Sequence, residues 1–210
     1  MNPFLSLSRC PICRERASTA QGCCEACRVG LFEVEATAES VSLGVYTERL
    51  ERAVRAFKFH HATRLGALFA RELAEVIKAQ KWQPDVVCAV PLHLTRYFER
   101  GYNQSAVIGK PLARHLGVPY RPLLKRTRAT QQQARLAREA RFSNVSGAFS
   151  AKSVPGKRVL LVDDVVTSGA TTTACVEALR EAGARSVKVA AVARGKAIEH
   201  REFVSRNEGS

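Results

Sequence analysis

The sequence predicts an α/β domain on a partly parallel sheet, preceded by a small cysteine-rich module. Three observations carry this. The apolar run Val159 to Val162 is followed by helix-forming composition from Thr172 to Ala182, closed by Gly183, and then by the β-branched run SVKVAAVA. Strand, helix and strand at this spacing make a βαβ unit, whose parallel strands need helices to cover them. Five of the seven cysteines lie between Cys10 and Cys27, in a stretch with little hydrophobic periodicity. Finally, 210 residues of 46% hydrophobic composition suffice for one substantial domain with a small appendage. We divide the chain into a metal-binding module (1–36), the main domain (37–195) and a polar tail (196–210).

The elements follow in order. Leu50, Val54 and Phe57 recur at helical spacing, as do Leu65, Leu68, Phe69, Leu73, Val76 and Ile77 in an amphipathic helix from Arg64 to Gln80. After Pro84, DVVCAV is a buried strand that ends at Pro91, with Cys88 a packing residue. Gln104 to His115 forms a helix ended by Gly117; VPYRPLL offers another strand and GAFS a short one. Pro155 and Gly156 mark the turn into the strand Val159 to Val162, and Cys175 in the following helix is a small core residue. No internal repeat is present.

Thirty-three Lys and Arg against nineteen Asp and Glu give a net charge of +14. That field attracts phosphates, nucleic acid or acidic headgroups, and solubility alone needs less. No apolar run approaches the roughly 20 residues that span a bilayer, and MNPFLSLSRCPIC lacks the features of a signal peptide. A cytoplasmic location is therefore expected, where clustered thiols point to a metal more than to disulfides.

The stretch RVLLVDDVVTSGATT holds the densest chemistry. In a parallel sheet, ligands collect beyond the carboxyl ends of strands, where loops lead into helix amino ends with unpaired N–H groups. Thr167, Ser168, Gly169, Ala170 and Thr171 can turn amides and hydroxyls toward one phosphate, and the following helix adds its positive dipole end. Asp163 and Asp164 would repel a phosphate placed against them. They suit sugar hydroxyls a few ångströms away, or a magnesium ion shared with a polyphosphate. No Gly-Lys-Ser/Thr ending and no Gly-x-Gly-x-x-Gly occurs, so neither a P-loop nor a dinucleotide fingerprint is present. Helix capping by Asp, Ser and Thr explains one or two of these residues and not the set.

VLLVDDVVTSGATT closely resembles the phosphoribosyl-pyrophosphate (PRPP) motif of type I phosphoribosyltransferases. The resemblance implies that Asp163 and Asp164 hold the ribose hydroxyls, and that Thr167, Ser168, Gly169, Ala170 and Thr171 hold the 5′-phosphate. PLHLTRYFERGYNQ, the earlier FKFHH, KRTRATQQQ, the later RFSNVSGAF and the amino-terminal cysteine pairs occur in this order, as in the ComF family of competence proteins and the similar GntX-type proteins. That resemblance covers nearly the whole chain. It implies that Pro91, Leu92, His93 and Arg96 border the pyrophosphate pocket, with Lys58 a weaker candidate, and it names no proton-transfer group. Arg96 and Arg100, at i and i+4, would share a helix face and could clamp one anion; a solvated basic loop also fits them.

Between Arg121 and Arg141 stand seven basic residues and one acid, Glu139. Three readings fit Lys125, Arg126, Arg128 and Arg135: a flexible loop closing over pyrophosphate, a track for a nucleic-acid backbone, and an exposed basic helix.

Cys10-Pro-Ile-Cys13 and Cys24-Glu-Ala-Cys27 each space two thiolates to reach one tetrahedral zinc, with ten residues between the pairs. Cys23 could replace Cys24, but the two-residue spacing and the family resemblance favour Cys24. Four thiolates close the coordination sphere, so the zinc would be structural; redox-active or unligated thiols are the other readings.

Two functions fit. The family resemblance implies a PRPP-binding protein of natural transformation, in the cytoplasm or peripheral at the inner membrane, that binds single-stranded DNA beside a helicase or membrane channel. The alternative is a metabolic enzyme moving phosphoribose from magnesium-bound PRPP to a small nitrogenous acceptor. Nothing in the sequence defines a base-binding pocket.

Overall fold

The computed structural model describes residues 8–17, 22–59, 62–92, 98–99, 101–127 and 147–195. The short strands β1 (Ser8–Arg9) and β2 (Arg16–Ala17) pair antiparallel and precede a single helical turn, α1 (Glu25–Arg28). β3 (Glu35–Ala36) folds back on β4 (Ser40–Ser42), and the helices α2 (Glu48–Phe59) and α3 (Thr63–Ala79) follow. Next come β5 (Val86–Ala89), α4 (Gln104–Leu116), and the strands β6 (Leu124–Arg126) and β7 (Phe149–Ala151), which pair antiparallel. β8 (Arg158–Val166), α5 (Ala170–Glu181) and β9 (Ser186–Arg194) complete the βαβ unit.

The main sheet has the order β3-β4-β9-β8-β5 and is parallel except for β3. Alternation along its strands divides the core. Leu160 and Val162 of β8, Val87 of β5 and Ala190 and Val192 of β9 face Phe57, Phe69, Leu73, Ile108 and Leu112 from α2, α3 and α4. Val159, Leu161, Cys88, Val187 and Val189 face Cys175, Leu179 and Phe149 on the other side. Continuous apolar runs are what a sheet covered on both faces requires. Cys88 and Cys175 are both buried core residues.

Three expectations need correction. β8 does not stop at Val162: β9 continues alongside it, pairing Asp163 with Ala191, Val165 with Ala193 and Val166 with Arg194, so both aspartates belong to the strand. α5 begins at Ala170, two residues before Thr172. VPYRPLL is not a continuous strand. Pro119 and Pro122 have no N–H to donate, so only a bridge from Tyr120 to Val87 and the separate β6 form there.

The amino-terminal module shares the main core. Cys10, Ile12, Cys23, Cys24 and Leu31 are buried in the same cluster as Phe57 and Phe69, and Phe32 meets Phe69 edge-on with centroids 6.3 Å apart. Among the described residues, no helix is long and apolar enough to cross a membrane.

Candidate functional site

The carboxyl end of β8 carries two acids with different surroundings. Asp163 Oδ1 accepts hydrogen bonds from Ser105 Oγ at 3.0 Å and from the Asp164 N–H at 2.8 Å. Burial, then the neighbouring charge of Asp164, pushes its carboxyl up to about 7, while those two donors and Lys58 oppose the rise. Asp164 Oδ2 instead meets the Lys58 ammonium at 3.0 Å.

Past Val166 the chain turns through Thr167, Ser168 and Gly169 into α5. Gly169 is the residue before the helix and has φ +78, a conformation other residues reach only at a cost. The first helical bond runs from the Thr173 N–H to the Gly169 carbonyl, which leaves the N–H groups at the start of α5 without partners inside the helix. The Ser168 hydroxyl lies 3.5 Å from the Ala170 N–H.

These elements enclose a cavity of ≈ 430 Å³, within the size range of small-molecule sites. It brings together Asp163, Asp164, Thr167, Ser168, Gly169 and Thr171 with Pro91, Leu92, Lys58 and Arg126. Ala170 supplies the helix start and does not line it. Lys125 is exposed on β6, outside the cavity, while the Arg126 guanidinium stacks 5.4 Å from the Phe149 ring centroid. His93, Arg96, Arg100, Arg128 and Arg135 lie outside the described residues.

Tyr46, Asn103, Gln104, Ser105 and Thr172 also line the cavity and were not read from the sequence. Asn103 had a local signal, since it stands immediately before a helix. Its side chain caps α4 by accepting from the Ala106 N–H, and its Nδ2 donates to the Val90 carbonyl at 3.0 Å. One residue thus fixes the start of α4 against the end of β5. Tyr46 reaches the site because its backbone N–H bonds the Arg194 carbonyl at the end of β9, a long-range pairing with no local trace.

The second candidate centre is the cysteine cluster. The Sγ atoms of Cys10, Cys13, Cys24 and Cys27 lie within 4.8 Å of one another, and those of Cys13 and Cys24 are 3.7 Å apart. Zinc–sulfur bonds of about 2.3 Å in a tetrahedron place sulfurs about 3.8 Å apart, so the donor set fits that ion. Burial alone would raise the Cys10 thiol, but N–H groups from Cys24, Cys13 and Ile12 outweigh it and bring it down to about 7. Cys23 is buried outside the cluster, and its thiol is raised to about 11, first by burial. These four cysteines could hold a metal.

A family model described as a phosphoribosyl transferase domain matches residues 102–205. Competence protein F of Haemophilus influenzae is 30% identical over 194 residues, 88% of this chain and 85% of that protein. The chain belongs to the ComF family of competence proteins. The DNA utilization protein YhgH of Salmonella typhi is 36% identical over 156 residues, 71% of this chain and 69% of that protein. Among solved structures, the glutamine PRPP amidotransferase from B. subtilis aligns with a TM-score of 0.44 and 28% identity, over 62% of this chain and 26% of that one. The family-model match, on a mostly parallel sheet covered by helices, makes the main domain of this ComF-family chain a phosphoribosyltransferase-like α/β domain.

Proposed function

We propose that this ComF-type protein acts in natural transformation by binding PRPP at the end of β8 and handling single-stranded DNA in the cytoplasm. The observation that carries the reading is the placement of two acids and a phosphate-sized turn on one cavity wall. Asp163 and Asp164 orient the ribose through its hydroxyls. Thr167, Ser168, Gly169 and Thr171, with the backbone at Ala170, take the 5′-phosphate at the start of α5. Pro91, Leu92, His93, Arg96 and Lys58 form the pyrophosphate end, and Arg126 adds a further cation at the wall. Magnesium, when bound with PRPP, neutralises charge on the pyrophosphate. Zinc on Cys10, Cys13, Cys24 and Cys27 has a structural role, in a module spanning about residues 1–36, as its all-thiolate donor set leaves no open position.

The net charge of +14 supports contact with a nucleic-acid backbone, with Lys125, Arg126, Arg128 and Arg135 as candidate contacts. The names of the relatives, a competence protein and a DNA utilization protein, favour a role with DNA over a purely metabolic transferase, and a helicase or a channel at the inner membrane is the neighbour this reading proposes. Deleting the gene should lower transformation, and the double variant Asp163→Ala/Asp164→Ala should fail to restore it. Purified protein should bind single-stranded DNA with an affinity that falls steeply with salt. Normal transformation after deletion would leave the metabolic reading, while absence of DNA binding even at low salt would remove direct DNA contact.

A further inference from the structure

The geometry points to Lys58 as the residue that makes this site select ribose phosphates carrying an anion at C1 over those without one. This rests on the PRPP reading and specifies what the site rejects. Lys58 Nζ and Asp164 Oδ2 are 3.0 Å apart, with side chains only 16% and 13% exposed, and both residues line the cavity. Sheltered opposite charges of this kind are costly to separate unless each finds a new partner, because a lone charge is left poorly solvated.

The backbone behind Lys58 is anchored. The Tyr102 hydroxyl donates to the carbonyl of Phe57, and the Phe57 ring is held edge-on by Phe69 at 5.7 Å between centroids. Asp164 is likewise fixed within β8. What can move is the ammonium, on its flexible four-carbon stem. A ribose whose hydroxyls approach Asp164 competes for the acceptor that this ammonium occupies.

The outcome depends on what else the ligand brings. Ribose 5-phosphate offers hydroxyls to Asp164 and has its phosphate at the far end of the sugar, in the turn at 167–171. It therefore displaces Lys58 without giving it a counter-charge. PRPP carries its pyrophosphate on C1, beside the 2-hydroxyl, and offers an anion in the same cavity as the hydroxyl that displaced the ammonium. The Lys58–Asp164 pair thus penalises one ligand and is exchanged by the other.

Titration calorimetry with magnesium-PRPP and with ribose 5-phosphate tests this on the intact chain. Wild type should prefer PRPP. In Lys58→Met, PRPP affinity should fall roughly tenfold or more and ribose 5-phosphate affinity should rise, so the ratio collapses. Equal losses for both ligands, or no change in either, would overturn the proposal. A second measurement needs no variant: saturating inorganic pyrophosphate should tighten ribose 5-phosphate binding to wild type severalfold, since it supplies the missing anion. Competition between the two, or indifference, contradicts the exchange. Wild type that binds neither PRPP nor ribose 5-phosphate would instead overturn the PRPP reading itself.

Discussion

Asp163 is held in a setting that opposes its own ionisation. Its carboxyl, pushed up to about 7 by burial and by Asp164, keeps its proton in the folded protein over a range where the unfolded chain has lost it. From the usual carboxylate range near 4 up to about 7, the folded state binds more protons, so this residue makes stability fall as pH rises through that window. Asp163→Asn keeps an oxygen to accept from Ser105 and from the Asp164 N–H but cannot ionise. Its melting temperature should approach that of wild type near pH 4 and exceed it at pH 8, while PRPP affinity drops; parallel melting curves across this range would contradict the assignment. The acids and the hydroxyl turn were legible in the sequence because a single strand-turn-helix carries them. Ser105, 58 positions upstream of Asp163, was not, because only the folded sheet brings α4 to the end of β8.

Helix α4 shows what an element contributes to the site. Asn103 caps its amino end and also ties it to Val90, so it sets where Ser105 stands. Asn103→Ala should cost about 1–2 kcal/mol of stability, measured by urea unfolding, and should weaken PRPP binding as well. Asn103→Asp keeps the capping acceptor and loses the donor to Val90, so it should recover most of the stability and less of the affinity. Stability unchanged in Asn103→Ala would show that the cap is dispensable. The long helices were legible, α2 and α3 from apolar periodicity and α4, which continues through Pro111, from its stop at Gly117. β3 and β4 escaped, since two or three residues give no period, and β4 is a strand only because β9 lies beside it.

At the scale of the whole molecule, the cysteine module and the transferase-like domain share one buried apolar cluster. Gly22, at φ +100, lets the module approach α3 so closely that a Cβ there would lie 3.1 Å from the Arg64 carbonyl oxygen and from the Leu68 Cβ. Phe32, Phe69, Phe57 and Tyr102 then form a chain of ring contacts toward the helix that carries Lys58. Chelating a metal held by the four cysteines should therefore lower the melting temperature of the entire chain in a single transition. An unchanged main transition after complete metal loss would show the module to be independent. The cysteine spacing was legible, but its burial against α3 was not, because no local pattern records which surface a module will cover. The central claim is that the end of β8 and the turn after it bind PRPP, and titration calorimetry with magnesium-PRPP tests it most directly. Saturable one-to-one binding to wild type, abolished in Asp163→Ala/Asp164→Ala protein that still folds, is the predicted result; equal affinity in the two proteins would contradict it.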